Sequence, residues 1–105
     1  MEKIVFIGYK PFTGKEAELA ALLEIHWQTL KIESLVTDRR PIIVKAEDET
    51  VIEVFGWKSK EAMDLAHSNK IVLDMWNEFS KVCEYVPVGE LTEMKELFSE
   101  FKPLN

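Results

Sequence analysis

The 105-residue sequence carries 13 Lys and Arg against 19 Asp and Glu, a net charge of −6 at pH 7. That length supports one domain with a single core. The acidic balance argues against a nucleic-acid partner, because phosphate binding needs a concentrated excess of Lys and Arg. Cys83 is the single cysteine, so an internal disulfide and a cysteine-based zinc site are excluded, as suits a reducing compartment. No apolar run approaches the roughly 18 residues that span a bilayer, so no membrane association is expected. Met1-Glu2-Lys3 enters a strand at once and leaves no space for a signal peptide, so a cytoplasmic location is expected.

Lys3 to Tyr9 is apolar and β-branched and reads as a central strand. Pro11 and Gly14 stop it, and Thr13 is placed to cap the helix that follows. That helix runs from about Lys15 to Glu33, with Leu19, Leu22, Leu23, His26 or Trp27, and Leu30 at helical spacing. Asp38 to Pro41 is a turn, and Pro41 opens a second strand over Ile42 to Ala46. Glu47-Asp48-Glu49 is a polar hairpin connection into the third strand, Thr50 to Lys58.

Ser59 then begins a helix with an acid, Glu61, in its first turn. The helical pattern holds from Lys60 to His67, breaks at Ser68-Asn69 and resumes from Lys70 to Val82. Its apolar stripe there is Val72, Leu73, Trp76, Phe79 and Val82 or Cys83. Glu84 to Val88 is a short fourth strand that Pro87 confines to an edge or a strand end. The tail, about residues 90–101, has Leu91, Met94, Leu97, Phe98 and Phe101 at 3-and-4 spacing and reads as a short amphipathic helix.

The element order β-α-β-β-α-β is that of an α+β domain of ferredoxin-like form, an antiparallel four-stranded sheet with helices on one face. On the third strand Val51, Glu53, Phe55 and Trp57 point one way, and Ile52, Val54 and Gly56 the other. Both sets are largely apolar, so both faces want cover. A second copy of the chain, placing its sheet against the first, supplies it: a homodimer is expected.

Val54-Phe55-Gly56-Trp57-Lys58-Ser59-Lys60-Glu61-Ala62, with His67, Val72 and Trp76 beyond, resembles the antibiotic-biosynthesis-monooxygenase-like proteins of the dimeric α+β barrel superfamily. Those proteins often carry a strand ending in Trp-x-Ser, then an acidic residue and Ala on the next helix, then a His. The likeness is sharpest over about 25 residues, and the element order extends it to roughly residues 3 to 88; it is more specific for fold than for activity. It implies a homodimer whose sheets form a shared barrel, with a pocket in each subunit between helices and sheet. It implies, further, oxygenation of an aromatic or polyketide-like small molecule without metal or flavin: the substrate is deprotonated and itself reduces dioxygen. A haem-degrading branch of the superfamily fits poorly, since its haem-ligating His falls on Trp76 and its polar Asn around Gly8 or Tyr9. A non-catalytic ligand-binding or stress-related protein of the same fold is the alternative, and an isomerase or decarboxylase a third reading.

His67 is the first candidate for proton transfer, since imidazole titrates near neutral pH; against it stands a plain helix-end residue bonded to backbone. Glu53 sits mid-strand among apolar neighbours and is either paired, with Lys45 of the adjacent strand, or a base or ligand anchor that orients the ligand or His67. His26, among Leu22, Leu23 and Leu30, is a semi-buried structural histidine or a pocket residue. Trp57, Trp76, Phe55, Trp27, Phe79 and Tyr85 would wall a pocket for a flat ligand, with core packing the competing explanation for most of them. Arg40, with Arg39, is a solvated turn charge or an anchor for an anionic group. The two histidines lack metal-site spacing, so neither metal nor other cofactor is expected. Cys83, without a CxxC or a flanking base, reads as a buried small residue.

Overall fold

The computed structural model describes residues 1–105. Strand β1 (Lys3–Pro11) leads to helix α1 (Glu16–Ile32), then β2 (Ile42–Lys45) and β3 (Val51–Trp57). Helices α2 (Lys60–Ala66) and α3 (Lys70–Ser80) follow, then β4 (Cys83–Val86). Two short 3-10 turns, Val88–Glu90 and Thr92–Lys95, precede a two-residue strand β5 (Lys102–Pro103). All pairings are antiparallel, in the order β4-β1-β3-β2-β5. The molecule is thus an α+β protein with three helices and one five-stranded sheet, rather than four strands. No helix is long and apolar enough to cross a membrane.

β3 is the spine. It pairs with β1 on one side and β2 on the other, and five of its seven residues are apolar while only Val54 is less than fully buried. Its alternation divides the protein. Val51, Phe55 and Trp57 join a core of sixteen buried residues between sheet and helices. Ile52 anchors a smaller cluster on the opposite face with Ala46 and Leu91. α1 buries Leu19, Leu23, His26 and Leu30, a stripe at intervals of four, three and four residues. α3 buries Val72, Met75 and Phe79, so Met75 takes a core place while Leu73 faces out.

Local chemistry sets the helix ends. Ser59 Oγ accepts the Ala62 N–H at 3.1 Å and starts α2. Asn69 Oδ1 accepts the Val72 N–H at 3.1 Å and starts α3, while its Nδ2 donates to Glu33 Oε1 on α1 at 2.9 Å. The expected cap at Thr13 does not form: α1 begins one residue after Lys15, with no side-chain cap.

The expected tail helix is absent. Leu91, Met94 and Phe101 lie on the outer face of the sheet with Val44, Ile52 and Val88, but Leu97 and Phe98 point away. A helix of this length is marginal alone, and here the chain extends instead to pair β5 with the β2 edge. Leu104 N donates to Ile43 O at 2.8 Å, and Asn105 Oδ1 accepts from Ile43 N at 2.9 Å. These bonds occupy an edge that would otherwise stay unpaired.

Candidate functional site

Three polar side chains project into the helix-side core: Tyr9 from β1, His26 from α1 and Glu53 from β3, each at most 1% exposed. Strand parity puts Tyr9 there, since Val5, Ile7 and Tyr9 share the phase that faces the helices. Helix spacing puts His26 there, within the Leu19–Leu23–Leu30 stripe. They meet at one atom. Glu53 Oε1 accepts the Tyr9 hydroxyl at 2.8 Å and bonds His26 Nδ1 at 2.8 Å.

The other imidazole nitrogen completes a chain. Trp76 Nε1 donates to His26 Nε2 at 3.0 Å. An indole N–H can only donate, so Nε2 presents its lone pair and the ring proton sits on Nδ1, aimed at the carboxylate. Tyr9, Glu53, His26 and Trp76 therefore form one directed network in which both imidazole nitrogens are engaged. Burial, then the adjacent Glu53, hold the Tyr9 phenol well above its usual range, so it stays a donor. Glu53 Oε2 is buried with no partner. Such an oxygen is costly to keep dry, by about 1–3 kcal/mol, and it leaves an acceptor in the core.

Aromatic rings enclose this chain. Phe55 and Phe79 meet the His26 ring edge-on, with centroids 5.6 and 5.2 Å away. Trp57 packs on Phe55 at 5.3 Å and on Trp76 at 6.4 Å. His67, at the end of α2, lies outside this shell: its ring meets Trp76 at 5.4 Å and its Nδ1 bonds Met63 O at 3.0 Å. Both histidines thus meet the Trp76 indole, His26 through its hydrogen bond and His67 through its ring.

The candidates named from sequence sort by place. Glu53, His26, Phe55, Trp57 and Trp76 come together, with His67 at the rim. Glu53 binds Tyr9 and His26 rather than orienting His67, and it does not pair with Lys45, which bonds Glu49 at 3.1 Å. The reason is register: Lys45 is opposite Val51, two residues from Glu53 along the same face, whereas the residue opposite Glu53 is Ile43, which has no charge to offer. Tyr85 lies half-exposed on β4 against Tyr9, ring centroids 5.6 Å apart. Trp27 and Arg40 belong to a separate groove. Cys83 is buried and its thiol is pushed up to about 11 by burial. No group of three or more His, Cys, Asp or Glu side chains is placed to hold a metal ion.

Tyr9 was missed. The signal was available in combination: a carboxylate in the core phase of a central strand requires buried donors, and Tyr9 and His26 were the polar residues in core phase on neighbouring elements.

Comparison with family models, curated proteins and solved structures finds no match to this chain. The chemistry therefore has to be read from the geometry.

Proposed function

We propose that this is a small-molecule-binding protein of the dimeric α+β barrel kind, similar to the cofactor-independent monooxygenases, with His26 as its proton-transfer group. The observation that carries the reading is the 2.8 Å contact between His26 Nδ1 and Glu53 Oε1 inside the core. A carboxylate behind one imidazole nitrogen fixes the tautomer and stabilises the cation formed when the other nitrogen takes a proton. His26 Nε2 becomes that base when the Trp76 indole turns away from it. Phe55 and Trp57 then offer flat surfaces to an aromatic substrate, and His67 meets it from the outer side.

The reaction that fits is oxygenation of an activated methylene, including the ring methylene of a phenol's keto form. His26 removes a proton, and the resulting anion reduces dioxygen. A methylene becomes a carbonyl, and the dioxygen ends as that carbonyl oxygen and one water. The strand sequence β4-β1-β3-β2, read without the short β5, supports the ferredoxin-like assignment.

The test is substrate-dependent oxygen uptake over a panel of anthrones and naphthohydroquinones, compared with their spontaneous oxidation. His26→Gln, shown folded by circular dichroism, should lower the rate about 10²-fold. Uptake that is no faster with protein than without it, or that survives His26→Gln, removes the catalytic reading.

A non-catalytic ligand binder is the second reading, and one observation favours it. Trp76 caps His26 Nε2, and none of the four main surface cavities is lined by Tyr9, His26, Glu53, His67 or Trp76.

A further inference from the structure

The largest of the four main surface grooves lies away from the buried chain. It is formed between α1, the start of β2 and the C-terminal residues, with a volume of about 650 Å³. Leu23, Ile43 and Leu104 give it an apolar lining, and Trp27, Arg40 and Glu24 contribute its polar groups. The volume falls within the range of small-molecule sites, about 300–1,000 Å³.

Two of these groups lack partners. Trp27 Nε1 is shielded from solvent and has no acceptor. An N–H left that way costs about 1–3 kcal/mol, which an acceptor arriving from the groove would recover after a small rotation of the indole. Arg40 makes no hydrogen bond or ion pair, in contrast to its neighbour Arg39, whose guanidinium grips Glu2 through two contacts of 3.1 Å. An unengaged guanidinium beside an apolar slot matches a carboxylate attached to a flat hydrocarbon body. Glu24 also lines the groove and favours a ligand with one negative charge over one with two.

We propose that this groove binds a small aromatic monocarboxylate, with Arg40 pairing the carboxylate, Trp27 donating its indole N–H, and Leu23, Ile43 and Leu104 holding the ring. The proposal does not rest on the catalytic reading: it applies equally to a protein with no chemistry at His26. Ile43 lies directly opposite Glu53 in the β2–β3 register, so the groove also adjoins the buried carboxylate by one strand.

The probe is 2-naphthoate, with 2-naphthalenemethanol as its uncharged counterpart, titrated into the intact chain. Binding is followed through the three indole N–H signals in ¹H–¹⁵N spectra, the Trp27 signal being the one lost in Trp27→Phe. Saturable movement of the Trp27 signal is expected, with the Trp57 and Trp76 signals unmoved. Arg40→Gln, an exposed position that should not affect folding, should weaken 2-naphthoate about fivefold or more and leave the alcohol unchanged. The proposal is overturned if 2-naphthoate gives no saturable shift at Trp27, or moves Trp76 in its place. Affinity that Arg40→Gln leaves within about twofold overturns it as well.

Discussion

Glu53 shows how one residue sets the character of a core. Mid-strand, fully buried, it would be an expensive choice unless donors converge on it. Tyr9 and His26 supply them, and Trp76 extends the arrangement by fixing the far side of the imidazole. Nearby, Cys83 shows burial acting without a charged partner. Its thiol donates to Phe79 O at 3.3 Å, and loss of hydration raises it from 9.0 to about 11. The folded value lies above the unfolded one, so this contribution to stability is complete below about pH 9 and is lost as pH rises towards 11. Tyr9, also raised, acts in the same direction from about pH 10 upwards. Guanidinium unfolding should therefore give a lower stability at pH 10.5 than at pH 8, with Cys83 contributing on the order of 1 kcal/mol once solvent screening is allowed for. In Cys83→Ala the drop should shrink by that amount. An equal drop in both proteins would show that the thiol does not titrate as its burial requires.

At the scale of elements, periodicity was a good guide where the apolar stripe faces a single surface. α1, the break at Ser68-Asn69, and the β2–β3 hairpin all lie within a residue or two of where spacing and turn chemistry put them. Asn69 explains the break, since its side chain caps α3. The tail misled because spacing was its only evidence. Leu91, Met94 and Phe101 do bury apolar surface, but from two tight turns and an extended run, geometries for which a helical stripe is no evidence. The candidate site was half legible. Glu53, His26 and Trp76 are named from their positions on apolar faces, but Tyr9 is not, nor is the pairing, because which donor meets Glu53 depends on the placement of α1 over the sheet. His67 drew attention as the histidine that carries a family likeness, while the histidine held by a carboxylate is His26.

For the whole molecule, the uneven cover of the sheet matters most. The helices close one face; the tail closes only part of the other, over Ile52 and Val44. Beyond the tail Phe6 on β1 and Ile42 on β2 remain 55% and 59% exposed, on either side of Val54 of the intervening β3, with Ile4 on the same face of β1. An apolar strip running across three strands, Phe6–Val54–Ile42, invites a second sheet. We infer that two copies meet there, and light scattering should give twice the 12.2 kDa chain mass. Phe6→Glu, which alters an exposed side chain, should return the mass to that of one chain. A wild-type protein of single-chain mass would remove the barrel from the account and leave the Glu53 network standing.

The account depends above all on the buried chain from Tyr9 through Glu53 and His26 to Trp76, and the protonation of the His26 ring reports on it directly. Long-range ¹H–¹⁵N spectra at neutral pH should show Nδ1 carrying the proton and Nε2 free of one. In Trp76→Phe, which removes the donor to Nε2, the Nε2 signal should move while Nδ1 stays protonated. An imidazole with its proton on Nε2, or a ring that exchanges between tautomers as freely as an exposed histidine, would contradict the network and with it the proposed base.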